Sequence, residues 1–106
     1  MPKYLFEAKY TADGMKGVMK EGGSKRRDAA DQVIRSVGGK LESLYYTFGD
    51  SDVVGIAEFP DHTTAAAVSG AINASGTTTI KFTPLITVEE VDLAAKKMAQ
   101  YRGPGR

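Results

Sequence analysis

Hydrophobic and polar positions alternate, then recur at helical spacing, then alternate again along the chain. From Lys3 to Tyr10, the residues Tyr4, Phe6, Ala8 and Tyr10 share one side, and Lys3, Leu5, Glu7 and Lys9 share the other. A period of two over eight residues predicts a strand with one buried and one amphipathic face. Met15, Val18 and Met19 then fall at helical spacing, in a segment that Gly14, Gly17 and Gly22-Gly23 keep short. Ser24 is a candidate N-cap for a helix whose stripe is Ala30, Val33, Ile34 and Val37, closed by Gly38-Gly39.

Leu41 to Phe48 and Asp52 to Phe59 read as a second and third strand. Strand formers crowd both sides of the cluster Gly49-Asp50-Ser51-Asp52, which is a hairpin signal. Pro60 cannot extend a central strand, and Asp61 is placed to cap a helix carrying Ala65, Val68 and Ile72 that ends near Gly76. Thr77 to Leu85 forms a fourth strand, with Ile80 and Phe82 on one side and Thr79, Lys81 and Thr83 on the other. Thr87 and Glu90 have the spacing of a capping box, flanked by Ile86 and Val91 as a hydrophobic staple. The helix they start has a narrow stripe of Val88, Val91, Ala95 and Met98.

The resulting order, β-α-β-β-α-β-α, predicts an α+β fold. It is the ferredoxin-like arrangement, a four-stranded antiparallel or mixed sheet with an added C-terminal helix. Strands one and three are expected side by side and parallel at the centre, with two and four at the edges. Both main helices would cover one face. The other would show Leu5, Tyr45 and alternate residues of Val53 to Phe59, a face that the same face of a second copy could cover to make a two-subunit barrel or sandwich.

Composition narrows the class. The 106 residues make one domain, residues 1–100, followed by a tail over 101–106 without periodicity. With no cysteine, neither a disulfide framework nor thiolate zinc ligation is open to it. A net charge of +1 supplies no field for steering toward nucleic acid or an acidic membrane. No apolar run approaches the roughly 18 residues of a membrane span. Met1-Pro2-Lys3-Tyr4 lacks a signal-peptide core, so a cytoplasmic location is the expectation.

Candidate chemistry is sparse. Asp50 and Asp52 form an Asp-x-Asp pair, although aspartates at turns more often bond nearby backbone than hold a cation. His62 is the only histidine, at a helix start beside Asp61. Glu58 falls in phase with Val54 and Ile56, where an ionised carboxylate must be paired or wet. Glu7 poses the same question, with Lys3 and Lys9 on its face. Tyr10, Tyr46 and Phe48 belong to a set of aromatics that could line a flat-ligand pocket or simply pack the core. Lys25-Arg26-Arg27 opens a helix, where cations oppose the macrodipole and an anion would compensate them. No Gly-rich loop has the spacing that cradles phosphates.

The segments Phe48-Gly49-Asp50-Ser51-Asp52-Val53-Val54, Pro60-Asp61, Gly22-Gly23-Ser24-Lys25-Arg26-Arg27, Asn73-Ala74-Ser75-Gly76 and Thr83 to Glu90 together resemble the GYD domain family, a group of dimeric α/β barrels. Ser51 stands where that family usually has its signature tyrosine. The resemblance implies a fold and an oligomeric habit, and its wider relatives include cofactor-free monooxygenases, isomerases and haem-binding enzymes.

The expected function is therefore a homo-oligomeric module, self-assembling through its open sheet face and accepting a small aromatic or apolar ligand. The expectation includes no cofactor, metal, nucleic acid or membrane partner. The hypothetical ligand-binding residues are Tyr10, Tyr46, Phe48, Asp50, Asp52, Glu58 and His62. The alternative is a cofactor-free or metal-assisted small-molecule enzyme, with Tyr46, Glu58 and His62 as polar groups of a sheet–helix cavity. RNA binding ranks last, because strand three lacks the exposed-aromatic motif of RNA-recognition modules and carries an acid instead.

Overall fold

Four strands, β1 (Lys3–Tyr10), β2 (Lys40–Tyr46), β3 (Val53–Glu58) and β4 (Thr78–Leu85), form one sheet in the order β2-β3-β1-β4. In the computed structural model, which describes all 106 residues, each neighbouring pair is antiparallel. The order fits a ferredoxin-like α+β sheet. The expected parallel pairing of strands one and three is corrected: the helical crossover returns β2 parallel to β1, and the hairpin then reverses the chain. β3 must therefore run against the strand it enters beside.

Helices α1 (Ala12–Glu21) and α2 (Gly23–Ser36) lie between β1 and β2. Thr11 caps α1 by accepting from the Gly14 amide. Ser24 is not the cap of α2. Gly22, at φ 88°, turns the corner between the two helices, so α2 begins two residues earlier than Ser24 would set and its start has no side-chain cap. At the other end Gly38, at φ 81°, and Gly39 donate back to the Arg35 and Ile34 carbonyls, the paired bonds of a Schellman motif. β2 stops at Tyr46 rather than Phe48, because Thr47 N–H bonds the Asp52 carbonyl and closes a loop that leaves Phe48 fully exposed.

Helix α3 (His62–Asn73) starts at Asp61, whose carboxylate accepts from both the Thr64 amide and hydroxyl. These bonds hold the Asp61 carboxyl below its ordinary pKa. Helix α4 (Val88–Ala95) has the complete Thr87–Glu90 capping box.

The core lies between the sheet and one helical layer. Tyr4, Phe6 and Ala8 of β1, Val53 and Ala57 of β3, and Phe59 meet Ile34 of α2 and Ala65 and Val68 of α3. Phe59 and Phe82 stand edge to face at 5.5 Å, and Tyr4 meets Phe59 at the same spacing. Gly55 sits opposite Leu44 on one side and Phe6 on the other. A Cβ there would overlap both the Ser43 carbonyl and the Phe6 ring.

Two parts remain uncovered. The second sheet face carries the cross-strand rows Tyr45–Val54–Glu7–Lys81 and Ser43–Ile56–Leu5–Thr83, then Lys40–Glu58–Lys3–Leu85 at one end. α4 stands away from the rest, and every residue from Thr83 to Arg102 is exposed. Its projection raises the radius of gyration to 16.9 Å, against roughly 13 Å for a compact domain of this length.

Gly55→Ala is expected to destabilise the fold by about 1–3 kcal/mol, since backbone and an aromatic ring must both move. Gly49→Ala, with nothing near the added methyl, is expected to be nearly neutral. Chemical denaturation of the two variants checks the contrast.

Candidate functional site

The helices straddle the sheet. α2 packs over β2 and α3 over β4, leaving a cleft above the central strands at the hairpin end. Alanines widen it: Ala29 and Ala30 face it from α2 and Ala71 from α3, where longer side chains would bridge the gap. The result is a hollow of about 300 Å³ floored by Phe6, Ala8, Leu44, Val53 and Ile80, with Val33 and Ile72 on its walls. That volume is at the small end of ligand pockets.

Tyr10 and Arg26 are its principal polar side chains. Tyr10 ends β1, where the strand's alternation turns it toward the helices. Arg26 sits one turn before Ala30 on the inward stripe of α2. Its Nη1 lies 3.8 Å from Glu21 Oε1, a long single contact that leaves most of the guanidinium fork free. A second hollow of about 320 Å³, lined by Met15, Val18, Met19 and Tyr46, adjoins the first, and Tyr10 lines both. The Tyr46 hydroxyl donates to the Gly23 carbonyl at 2.8 Å, fastening the end of β2 to the start of α2.

The electrostatics follow from burial. Tyr10 ionises above the ordinary tyrosine pKa, chiefly because it is desolvated and then because Tyr46 stands near, while Arg26 pulls it back. Burial also raises Tyr46, against the opposing effect of Arg26 and Arg27. Both phenols are therefore neutral hydrogen-bond donors well above neutral pH.

Of the residues expected to share a site, the structure brings together Tyr10, Tyr46 and Asp52. Asp52 Oδ2 accepts from the Tyr10 amide at 2.8 Å and lines the second hollow. The other four lie elsewhere. Phe48 and Asp50 are in the exposed hairpin loop, where the Asp50 carbonyl accepts from Lys9. Glu58 ends β3 on the open face, half-buried between its cross-strand neighbours Lys3 and Lys40. His62 opens α3, its Nδ1 2.6 Å from the Tyr4 hydroxyl, and supplies the partner that this buried phenol needs. Arg26 is the residue that sequence reasoning did not place in a site. The stripe Ala30, Val33, Val37, extended back one turn, would have found it.

A family model describing the GYD domain matches residues 4–95. The chain belongs to the GYD domain family. The match in this GYD domain takes in all of β2, β3 and β4, β1 from Tyr4 onward, both hollows and the whole of α4. The projecting helix is thus part of the domain rather than an appendage. Comparison with curated proteins and with solved structures finds no match. No helix is long and apolar enough to cross a membrane.

Absorbance titration should show Tyr10 and Tyr46 ionising late, and Tyr10→Phe or Tyr46→Phe should each remove a late component. Arg26→Gln should push both higher still. A raised folded-state pKa means the unfolded chain releases these protons first. The stability they contribute is therefore complete below about pH 10, the ordinary tyrosine value, and is lost as pH rises through the folded values. Alkaline denaturation midpoints check the sign.

Proposed function

We propose that this GYD domain is a homo-oligomeric module in which the open sheet face of one protomer is covered by a second copy, with the sheet–helix hollow holding a small aromatic or apolar ligand. The observation that carries the reading is the pairing of an uncovered sheet face with an uncovered helix in one small chain. Leu5, Val54 and Ile56 form the centre of the face and Tyr45 extends it, 69% exposed. Only 11 of 106 residues are buried, a thin core for a domain that must hold this sheet alone.

Helix α4 strengthens the argument. Eight residues fall below the roughly 12–15 at which an isolated helix becomes even marginal in water, however well capped. Ile86, Val88, Val91, Leu93 and Met98 are all exposed along it. Packing against the partner protomer buries apolar side chains of this segment and supplies the tertiary contact the helix otherwise lacks.

The charges framing the sheet face suit self-pairing. Lys3 with Glu42 and Glu58 mark one end, and Glu7 with Lys81, 3.6 Å apart, mark the other. Each end carries both signs, so a two-fold arrangement sets no like-charged cluster against itself.

Light scattering behind size exclusion is expected to find a mass at least twice that of the chain. Ile56→Lys places a charge at the centre of the face and should weaken association by roughly 30-fold or more. Truncation after Leu85 should weaken it separately. A folded wild-type monomer at high micromolar concentration would overturn the reading.

A further inference from the structure

We propose that the sheet–helix hollow is a binding site for a small monocarboxylic acid with an apolar, preferably planar, body. The carboxylate lies on Arg26 and the Tyr10 hydroxyl, and the body on Val33, Leu44, Val53 and Ile80. This deepens the ligand part of the proposed function and is independent of self-association.

Three features of the hollow select that chemistry. Its lining is mostly aliphatic and aromatic, so the body of the ligand must be apolar. Its one cation is an arginine whose only acidic contact is the long one to Glu21, leaving planar donors in the geometry that a carboxylate accepts. Tyr10 stands close enough to Arg26 for the guanidinium to act on its hydroxyl, so donors of two kinds converge at the mouth.

The same surroundings disfavour a dianion. Glu21 and Asp13 line a small hollow that shares Tyr10 and Arg26 with the main one, and Asp52 lines the hollow of Tyr46 together with Tyr10. A phosphate would bring two charges to one guanidinium and meet these carboxylates at close range. The placement of Arg26 fits the same account. In the first turn of α2 it opposes the helix dipole, and this turn holds no acidic residue to offset it. A bound carboxylate would.

The test compares three probes of one shape, naphthoate, naphthylmethanol and naphthyl phosphate, by heteronuclear NMR titration of the full chain. Naphthoate is expected to shift the amides around Tyr10, Arg26, Val33 and Ile80 and to bind at least about tenfold more tightly than either of the others, as a charge-assisted hydrogen bond allows. Arg26→Gln should erase the preference for the acid over the alcohol. Ala30→Leu, which fills the hollow, should abolish binding of all three. Equal affinities in the wild type, a preference that survives Arg26→Gln, tighter binding of the phosphate, or no binding of any probe would each overturn the proposal. Light scattering on the same samples separates the claims: a monomer that selects naphthoate removes only the self-assembly reading, and an oligomer that binds nothing removes this inference and the ligand part of the proposed function while leaving self-assembly standing.

Discussion

β1 is hydrogen-bonded along both edges, and the rest of the molecule is arranged around that double pairing. Between β3 and β4 it turns Tyr4, Phe6 and Ala8 toward the helices and Lys3, Leu5, Glu7 and Lys9 away from them. The strict alternation of a strand means that one set cannot be buried without offering the other to the opposite side. The chain has helices for one side only. Its aromatic cluster of Tyr4, Phe6, Phe59 and Phe82 is satisfied internally, whereas Leu5, Val54 and Ile56 are left half-covered. The asymmetry follows from a crossover topology that returns α2 and α3 to the same face.

The hollow has a related origin. α2 and α3 are drawn to opposite edges of the sheet by Ile34 on one side and Val68 on the other. Where they diverge above Ala8 and Val53, alanines line the gap instead of filling it. Half-buried Tyr10, with Arg26 beside it, gives the space a polar mouth over an apolar floor. Fold and candidate site are thus two consequences of how few large side chains the helices carry at the hairpin end.

Much of the architecture was legible in local signals. Alternation located β1 to the residue, Asp61 and the Thr87–Glu90 box started their helices as expected, and the domain-wide likeness pointed to the correct family. What escaped was set by longer-range physics. The direction of β3 against β1 depends on the whole crossover and not on any residue within either strand. Gly22, through its backbone conformation alone, displaced Ser24 as the start of α2. Tyr46 turned to the helical side as expected, but Glu58, expected in the same cavity, kept phase with Val54 and went to the open face. His62 was read for its titration, yet a buried tyrosine hydroxyl arriving from 58 residues away determines its surroundings. Arg26 was read only as one of three cations at a helix start until the spacing of α2 placed it inward.

Isotope-filtered NOE spectroscopy on a mixture of labelled and unlabelled protomers addresses the uncovered sheet face most directly. The account predicts intermolecular contacts from the methyls of Leu5, Val54 and Ile56 to their counterparts and to the Tyr45 ring of the other copy. Methyls that show no intermolecular contact, in a sample whose relaxation rates are those of a single chain, would contradict it.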